Sequence, residues 1–213
     1  HFGYRRQRQM CIRDSEITNN QTRINDAKVD PYGGIVFGTY NEDPDKAKRK
    51  PIANLYRLAP NLSLTHLLSN ITVSNGIAFS ENENIMYFAD TPTCRIQKFE
   101  YTKNFNKFYE LEANMIFKNV GEPDGATVDK DNNYWSARVR GKCIICVDTK
   151  DETIIEKISL PTNTPTCVTF GGANLNSLYI TSLRADSTSD NEGGNLHKIE
   201  TSTQGRAQLL ADI

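Results

Sequence analysis

Asn75-Gly76-Ile77-Ala78-Phe79-Ser80 is one of four related hexapeptides in this chain. The others are Asn25-Asp26-Ala27-Lys28-Val29-Asp30, Asp124-Gly125-Ala126-Thr127-Val128-Asp129 and Thr166-Cys167-Val168-Thr169-Phe170-Gly171. Their first residues are 50, 49 and 42 positions apart. A period of about 40–50 residues filled with short strands is the pattern of a β-propeller blade. Each hexapeptide opens on a small polar residue, and three of the four openers are Asn or Asp. Equivalent positions of successive blades are related by rotation about the propeller axis. If these residues head the innermost strands, Asn25, Asn75, Asp124 and Thr166 face one central channel. A ring of amide and carboxylate oxygens there is a candidate site for a hard cation.

The remainder of each repeat fits a four-stranded blade. A turn follows each hexapeptide, as in Asp30-Pro31-Tyr32-Gly33-Gly34 and Asp129-Lys130-Asp131-Asn132-Asn133, both rich in turn-forming residues. Second strands are expected at Ile35–Tyr40, Met86–Asp90, Tyr134–Ala137 and Leu178–Thr181. Third strands are expected at Leu55–Leu58, Arg95–Tyr101, Ile144–Val147 and Leu196–Ile199, where apolar and polar residues alternate. The outermost strands fall at Ser63–Leu68, Phe108–Phe117, Thr153–Leu160 and Ala207–Ile213. Glu110–Met115 is the nearest approach to a helix. The expected fold class is therefore all-β, a propeller with about four blades in this chain.

Composition excludes several function classes. The 213 residues carry 25 Lys and Arg against 26 Asp and Glu, a net charge of −1, which gives no electrostatic reason to expect nucleic acid. No apolar run approaches the ~20 residues of a membrane-spanning helix, so no membrane partner is expected. Residues 1–15 hold four Arg and one Asp, lack apolar periodicity and resemble translated adapter sequence. They are read as a leader unrelated to the fold, with residues 16–213 as the partial propeller. Cys143 and Cys146 have C-x-x-C spacing, but residues i and i+3 of a strand point to opposite faces, so they are read as strand residues and not a shared metal site. Five scattered cysteines do not form a disulfide framework and fit a reducing cytoplasm. Asp129–Asn133 resembles the start of an EF-hand loop, but Tyr134 and Arg140 stand where that loop needs Gly and Glu. Asp43–Lys50 reads as a solvated loop. His66 and His197 read as strand-surface residues.

Arg23-Ile24-Asn25-Asp26-Ala27-Lys28-Val29-Asp30-Pro31, Ser74-Asn75-Gly76-Ile77-Ala78, Pro123-Asp124-Gly125-Ala126, Trp135-Ser136-Ala137 and Phe170-Gly171-Gly172 together resemble the SMP-30/gluconolactonase/regucalcin family. The resemblance runs from about Thr22 to the C-terminus. It implies a six-bladed propeller, of which about four blades are present here, with one divalent ion on its axis, Ca²⁺ or Zn²⁺. Mg²⁺ or Mn²⁺ also suits the oxygen donors. It further implies hydrolysis of sugar lactones. Residue by residue, it makes Asn75 and Asp124 metal ligands, Asp124 the catalytic carboxylate, and Arg23 and Asn25 substrate contacts. Asp43, or its neighbour Glu42, falls near an acidic substrate contact of the family. The family's third ligand, a Glu near the chain start, has no counterpart in the matched region, and Ala27 stands where the family has Gly. Such a fragment is expected to be impaired. The alternative is a propeller that binds a cation or a partner without catalysis.

Overall fold

A computed structural model describes residues 16, 21–80, 84–103, 108–184 and 190–213. Residues 1–15, read above as a leader, lie outside the described residues. Among the described residues fifteen strands form four antiparallel sheets, each a simple up-and-down meander. The first blade is β1 (Thr22–Val29), β2 (Ile35–Asn41), β3 (Ala53–Leu58) and β4 (Leu64–Ile71). The second is β5 (Ser74–Phe79), β6 (Ile85–Asp90), β7 (Arg95–Glu100) and β8 (Glu110–Ile116). The third is β9 (Glu122–Val128), β10 (Tyr134–Val139), β11 (Cys143–Asp148) and β12 (Thr153–Ser159). The fourth has three strands among the described residues, β13 (Pro165–Gly171), β14 (Ser177–Ser182) and β15 (Leu196–Glu200). The four hexapeptides lie on β1, β5, β9 and β13, the first strand of each blade. Among the described residues no helix is long and apolar enough to cross a membrane.

The core is three layers, each between neighbouring blades. Val36, Leu55 and Ile71 of the first blade pack on Ile77, Met86, Phe88 and Phe99 of the second. Tyr87 and Ile96, on the other face of the second blade, pack on Tyr134, Cys143, Ile145 and Val147 of the third. Trp135, Ile144 and Cys146 turn the opposite way, onto Val168, Phe170, Leu178 and Ile180 of the fourth. Both faces of the middle blades are therefore buried, which explains the near-continuous apolar runs of β6 and β11. The strand period of two sends Cys143 and Cys146 into different layers. Glu110–Met115 is part of an edge strand, where alternate exposure gives the charged residues to solvent.

The last residue of the hexapeptide locks the turn beneath it. Asp30 accepts from the N–H groups of Tyr32 and Gly34, and its other oxygen accepts from Arg57 Nε and the Tyr101 hydroxyl. Asp129 accepts from the N–H groups of Asp131 and Asn133, from Asn133 Nδ2 and from Trp135 Nε1. In the second blade Ser80 Oγ takes the Ile85 N–H. These are Asx-type turns whose side chains satisfy backbone donors.

One expected strand is not formed. Ala207–Ile213 does not extend the fourth blade. Gly205 N donates to Leu175 O, Lys130 N donates to Gln204 O and Arg206 Nε donates to Asp129 O. Asp212 N then donates to Gly33 O. The segment thus runs beneath the inner strands, from the base turn of the third blade to that of the first. Its alternating apolar residues are not a buried face, for Leu209, Leu210 and Ile213 stay 48%, 84% and 52% exposed. The turns at the base supply backbone partners that a fourth-blade edge would otherwise have given.

Candidate active site

Each inner strand carries one extra residue at the hexapeptide. Ile24 and Ala27 pair with Thr39 and Phe37, so three steps on β1 match two on β2. The same excess occurs between Asn75 and Ala78 on β5, between Pro123 and Ala126 on β9, and between Pro165 and Cys167 on β13. These are β-bulges, which bend the strand and re-aim side chains. Four bulges at equivalent places turn the openers of the hexapeptides toward one cleft. Asn25, Asn75, Asp124 and Thr166 all line it, with a cavity volume of about 360 Å³. The sequence expectation of a common channel is met.

A hydrogen-bonded chain stitches three of the blades together at this level. Asn25 Nδ2 donates to Ser74 O (2.8 Å) and to Asn75 Oδ1 (3.1 Å). Asn75 Nδ2 donates to Thr91 Oγ1 (2.8 Å), which donates to Pro123 O (2.9 Å). With its amide nitrogen bound to Thr91 and its Oδ1 accepting from Asn25, Asn75 keeps one oxygen lone pair for a ligand of the cleft it lines. Asn75 is 5% exposed, so this orientation is held by packing as well.

Two glycines make room for the second position of the motif in neighbouring blades. Gly76 has φ +64°, and a Cβ there would lie 2.3 Å from the Tyr134 hydroxyl, which itself donates to Gly76 O. A Cβ on Gly125 would lie 2.6 Å from Cys167 Sγ. Where the second and third blades have Gly, the first has Asp26 and the fourth Cys167. Asp26 is the residue the sequence reading passed over. Its Oδ2 accepts from Ile77 N across the blade boundary (3.0 Å), and its Oδ1 accepts from Ala27 N (2.9 Å).

Two carboxyl groups meet here, and both are costly to charge. Burial, then the neighbouring charge of Asp26, pushes the Asp124 carboxyl up to about 7, against one stabilising bond from the Gly125 N–H. Burial also raises Asp26, partly offset by the Ile77 N–H and by Lys28. Two carboxyl groups that resist ionisation thus crowd the axis, and no cation of the chain is bonded to Asp124 in the described residues.

Of the substrate contacts expected from sequence, Asn25 lines the cleft, while Arg23 and Asp43 sit to one side. Arg23 forms an ion pair with Glu42 (2.6 Å) and its guanidinium lies 4.9 Å from the Tyr40 ring centre, a ring that lines the cleft. Asp43 is not brought into the cleft. Its Oδ1 accepts from Asp45 N (3.0 Å), and with Glu42 it borders an adjacent hollow. Glu16 sits on the side of the first blade, accepting from Thr39 Oγ1, Asn54 Nδ2 and the Tyr56 hydroxyl, and is not part of the cleft lining.

Asn75 and Asp124 offer the oxygen donors a hard divalent ion takes, and Asp124 is short of positive partners, so the residues present fit such an ion in part. No group of three or more His, Cys, Asp or Glu among the described residues could enclose one.

The comparisons agree with this geometry. The pentonolactonase XacC of Haloferax volcanii is 27% identical over 209 residues, covering 93% of this chain and 69% of that protein. The crystal structure of a calcium-binding protein, regucalcin, from Agrobacterium tumefaciens superposes with a TM-score of 0.78 at 25% identity, covering 89% of this chain and 65% of that one. A luciferin-regenerating enzyme superposes with a TM-score of 0.82 at 28% identity, covering 93% and 68%. The chain spans about three fifths of the length of the first curated relatives it matches. Residues 4–184 match the family described as SMP-30/Gluconolactonase/LRE-like region, and the chain belongs to that family.

Proposed function

We propose that the intact protein hydrolyses a sugar lactone at the cleft on the propeller axis. The observation that carries this reading is the convergence of Asn25, Asn75 and Asp124 on one cleft through bulges at equivalent places. Lactonase and calcium-binding relatives support it. Asn75 Oδ1 and the Asp124 carboxylate would hold a divalent ion, Ca²⁺ or Zn²⁺. When bound, that ion supplies polarisation of the lactone carbonyl and acidifies water. Asp124 accepts the proton of the attacking water as general base. Asn25, whose amide nitrogen is committed to Ser74 O and Asn75 Oδ1, accepts from a sugar hydroxyl through its Oδ1, and Arg23, poised over Tyr40, donates to the hydroxyl oxygens of the sugar, so that the two orient it. Arg23 must leave or share Glu42 to do so, and its forked donors suit two oxygens at once. Asp43, outside the cleft, reaches substrate only by movement of its loop.

A second reading draws on the donor set: two protein ligands hold an ion weakly, which suits a cation-binding propeller without turnover. Hydrolysis of five- and six-carbon sugar lactones, followed by acid release in weak buffer with and without a chelator, separates the two. Chelator-sensitive turnover is expected. Ion binding with no turnover on any lactone leaves the second reading.

A further inference from the structure

Lys46, Arg49 and Arg140 line the cleft, Arg23 stands beside it over the Tyr40 ring, and the four are not equivalent. Arg23 is neutralised by Glu42, and Arg140 by Glu122. Lys46 and Arg49 also line the cleft, yet neither has a carboxylate within ion-pair distance among the described residues. Both stand on the segment that follows β2, the stretch that reads from sequence as a solvated loop.

That loop is braced. Asn41 Nδ2 donates to Lys50 O (3.0 Å) and closes its ends. Within it, Asp43 N donates to Asn41 Oδ1, Asp45 N to Asp43 Oδ1 and Ala47 N to Asp45 Oδ1, at 2.9, 3.0 and 3.1 Å. Arg49 is half-buried. Its Nε donates to Asp43 O (2.9 Å) and its guanidinium lies 5.3 Å from the Tyr40 ring centre. Arg23 approaches the same ring, so Tyr40 steadies two guanidinium groups. One nitrogen of Arg49 is used to fix the side chain, and its two terminal nitrogens keep the fork that matches a carboxylate, phosphate or sulfonate. The acidic residues of this loop do not cancel these charges: Glu42 serves Arg23, Asp45 serves Lys48 (3.1 Å), and Asp43 serves the backbone of Asp45.

The geometry points to a substrate that carries an anionic group at the end of the sugar remote from the lactone carbonyl, taken by Lys46 and Arg49. This rests on the lactonase reading for the position of the carbonyl, and it names the class of lactone: a sugar lactone bearing a carboxylate, phosphate or sulfonate. A neutral lactone would leave both cations at the cleft without an anionic partner.

The test compares product-like acids by calorimetry, so it needs no turnover. The probes are gluconate, glucarate, 6-phosphogluconate and the C6 sulfonate of gluconate. The proteins are wild type, the Lys46→Ala/Arg49→Ala double variant and Lys48→Ala as a loop control, with thermal melting to check folding. The expected result is binding of the doubly charged acids, those that carry an anion at both ends, about tenfold or more tighter than gluconate, on the scale of charge-assisted hydrogen bonds. The preference should disappear in the double variant, persist in Lys48→Ala, and shrink as salt is raised. Which of the three C6 groups binds tightest identifies the anion. Equal affinity for gluconate and the doubly charged acids, a preference that survives the double variant, or no binding of any probe would overturn the inference. Preference without hydrolysis of any lactone contradicts the proposed function and leaves this inference standing. Hydrolysis without preference does the reverse.

Discussion

Asp124 and Asp129 lie at opposite ends of one short strand and show two uses of the same side chain. Asp129, at the base, is fully buried and accepts four hydrogen bonds from its own turn and from Trp135. Its charge is met within the fold. Asp124, at the axis, is aimed into the cleft by a bulge, faces a second carboxylate and is pushed up to about 7. Its charge is left for something outside the fold to meet. The contrast recurs in the first blade between Asn25 at the cleft and Asp30 at the base, where Arg57 and Tyr101 complete the partners of Asp30. The base turns of the first three blades satisfy their own donors, whereas the axial end leaves polar groups facing a cleft.

The sharpest way to break this contrast is to neutralise each end in turn. Asp124→Asn in the intact protein should cut lactone hydrolysis by ~10²–10⁴-fold, the usual cost of losing a general base. It should leave the melting temperature no lower, because the buried charge is removed along with the base. Steady-state kinetics and calorimetric melting on the same sample check both. Near wild-type turnover would remove Asp124 from the chemistry.

At the base the effect should fall on stability instead. Asp30→Ala removes the carboxylate paired with the buried Arg57, whose side chain is 5% exposed, and should cost about 3–5 kcal/mol in urea unfolding. The activity per folded molecule should not change. A loss of turnover at full folding would mean the two ends are coupled.

A smaller effect sharpens the comparison through pH. The Asp124 carboxyl sits above the ~3.9 of an unfolded Asp, so the folded state holds its proton more tightly. Its contribution to stability is present below about pH 4 and is lost as pH rises to about 7. Unfolding without divalent ions should show wild type losing about 3–4 kcal/mol relative to Asp124→Asn between pH 4 and 8. Parallel pH profiles for the two proteins would contradict the shift.

Much of this was legible in the sequence, and the residues show why some was not. The hexapeptide repeat revealed the blades and the common channel because Asp30, Ser80 and Asp129 close turns that a single strand and its successor encode locally. The bulges were not legible, since they exist only in the pairing of two strands. Asp26 was missed for a related reason: it matters because it reaches Ile77 N of the next blade, a contact 51 residues away. Ala207–Ile213 reads as a strand by alternation, but its backbone partners are turns at the base, which no local pattern records. Lys46 and Arg49 read as a solvated loop, and only the fold brings them to the cleft.

The central claim is that the axial end of the inner strands holds a divalent ion. Calorimetric titration with Ca²⁺ and with Zn²⁺, on wild type, Asp124→Asn and Asp129→Asn, tests it directly. The account predicts one ion per chain in wild type, weak because Asn75 and Asp124 are its protein ligands here. It predicts loss of that ion in Asp124→Asn and retention in Asp129→Asn. No binding of either ion, or binding unchanged by Asp124→Asn, would contradict it.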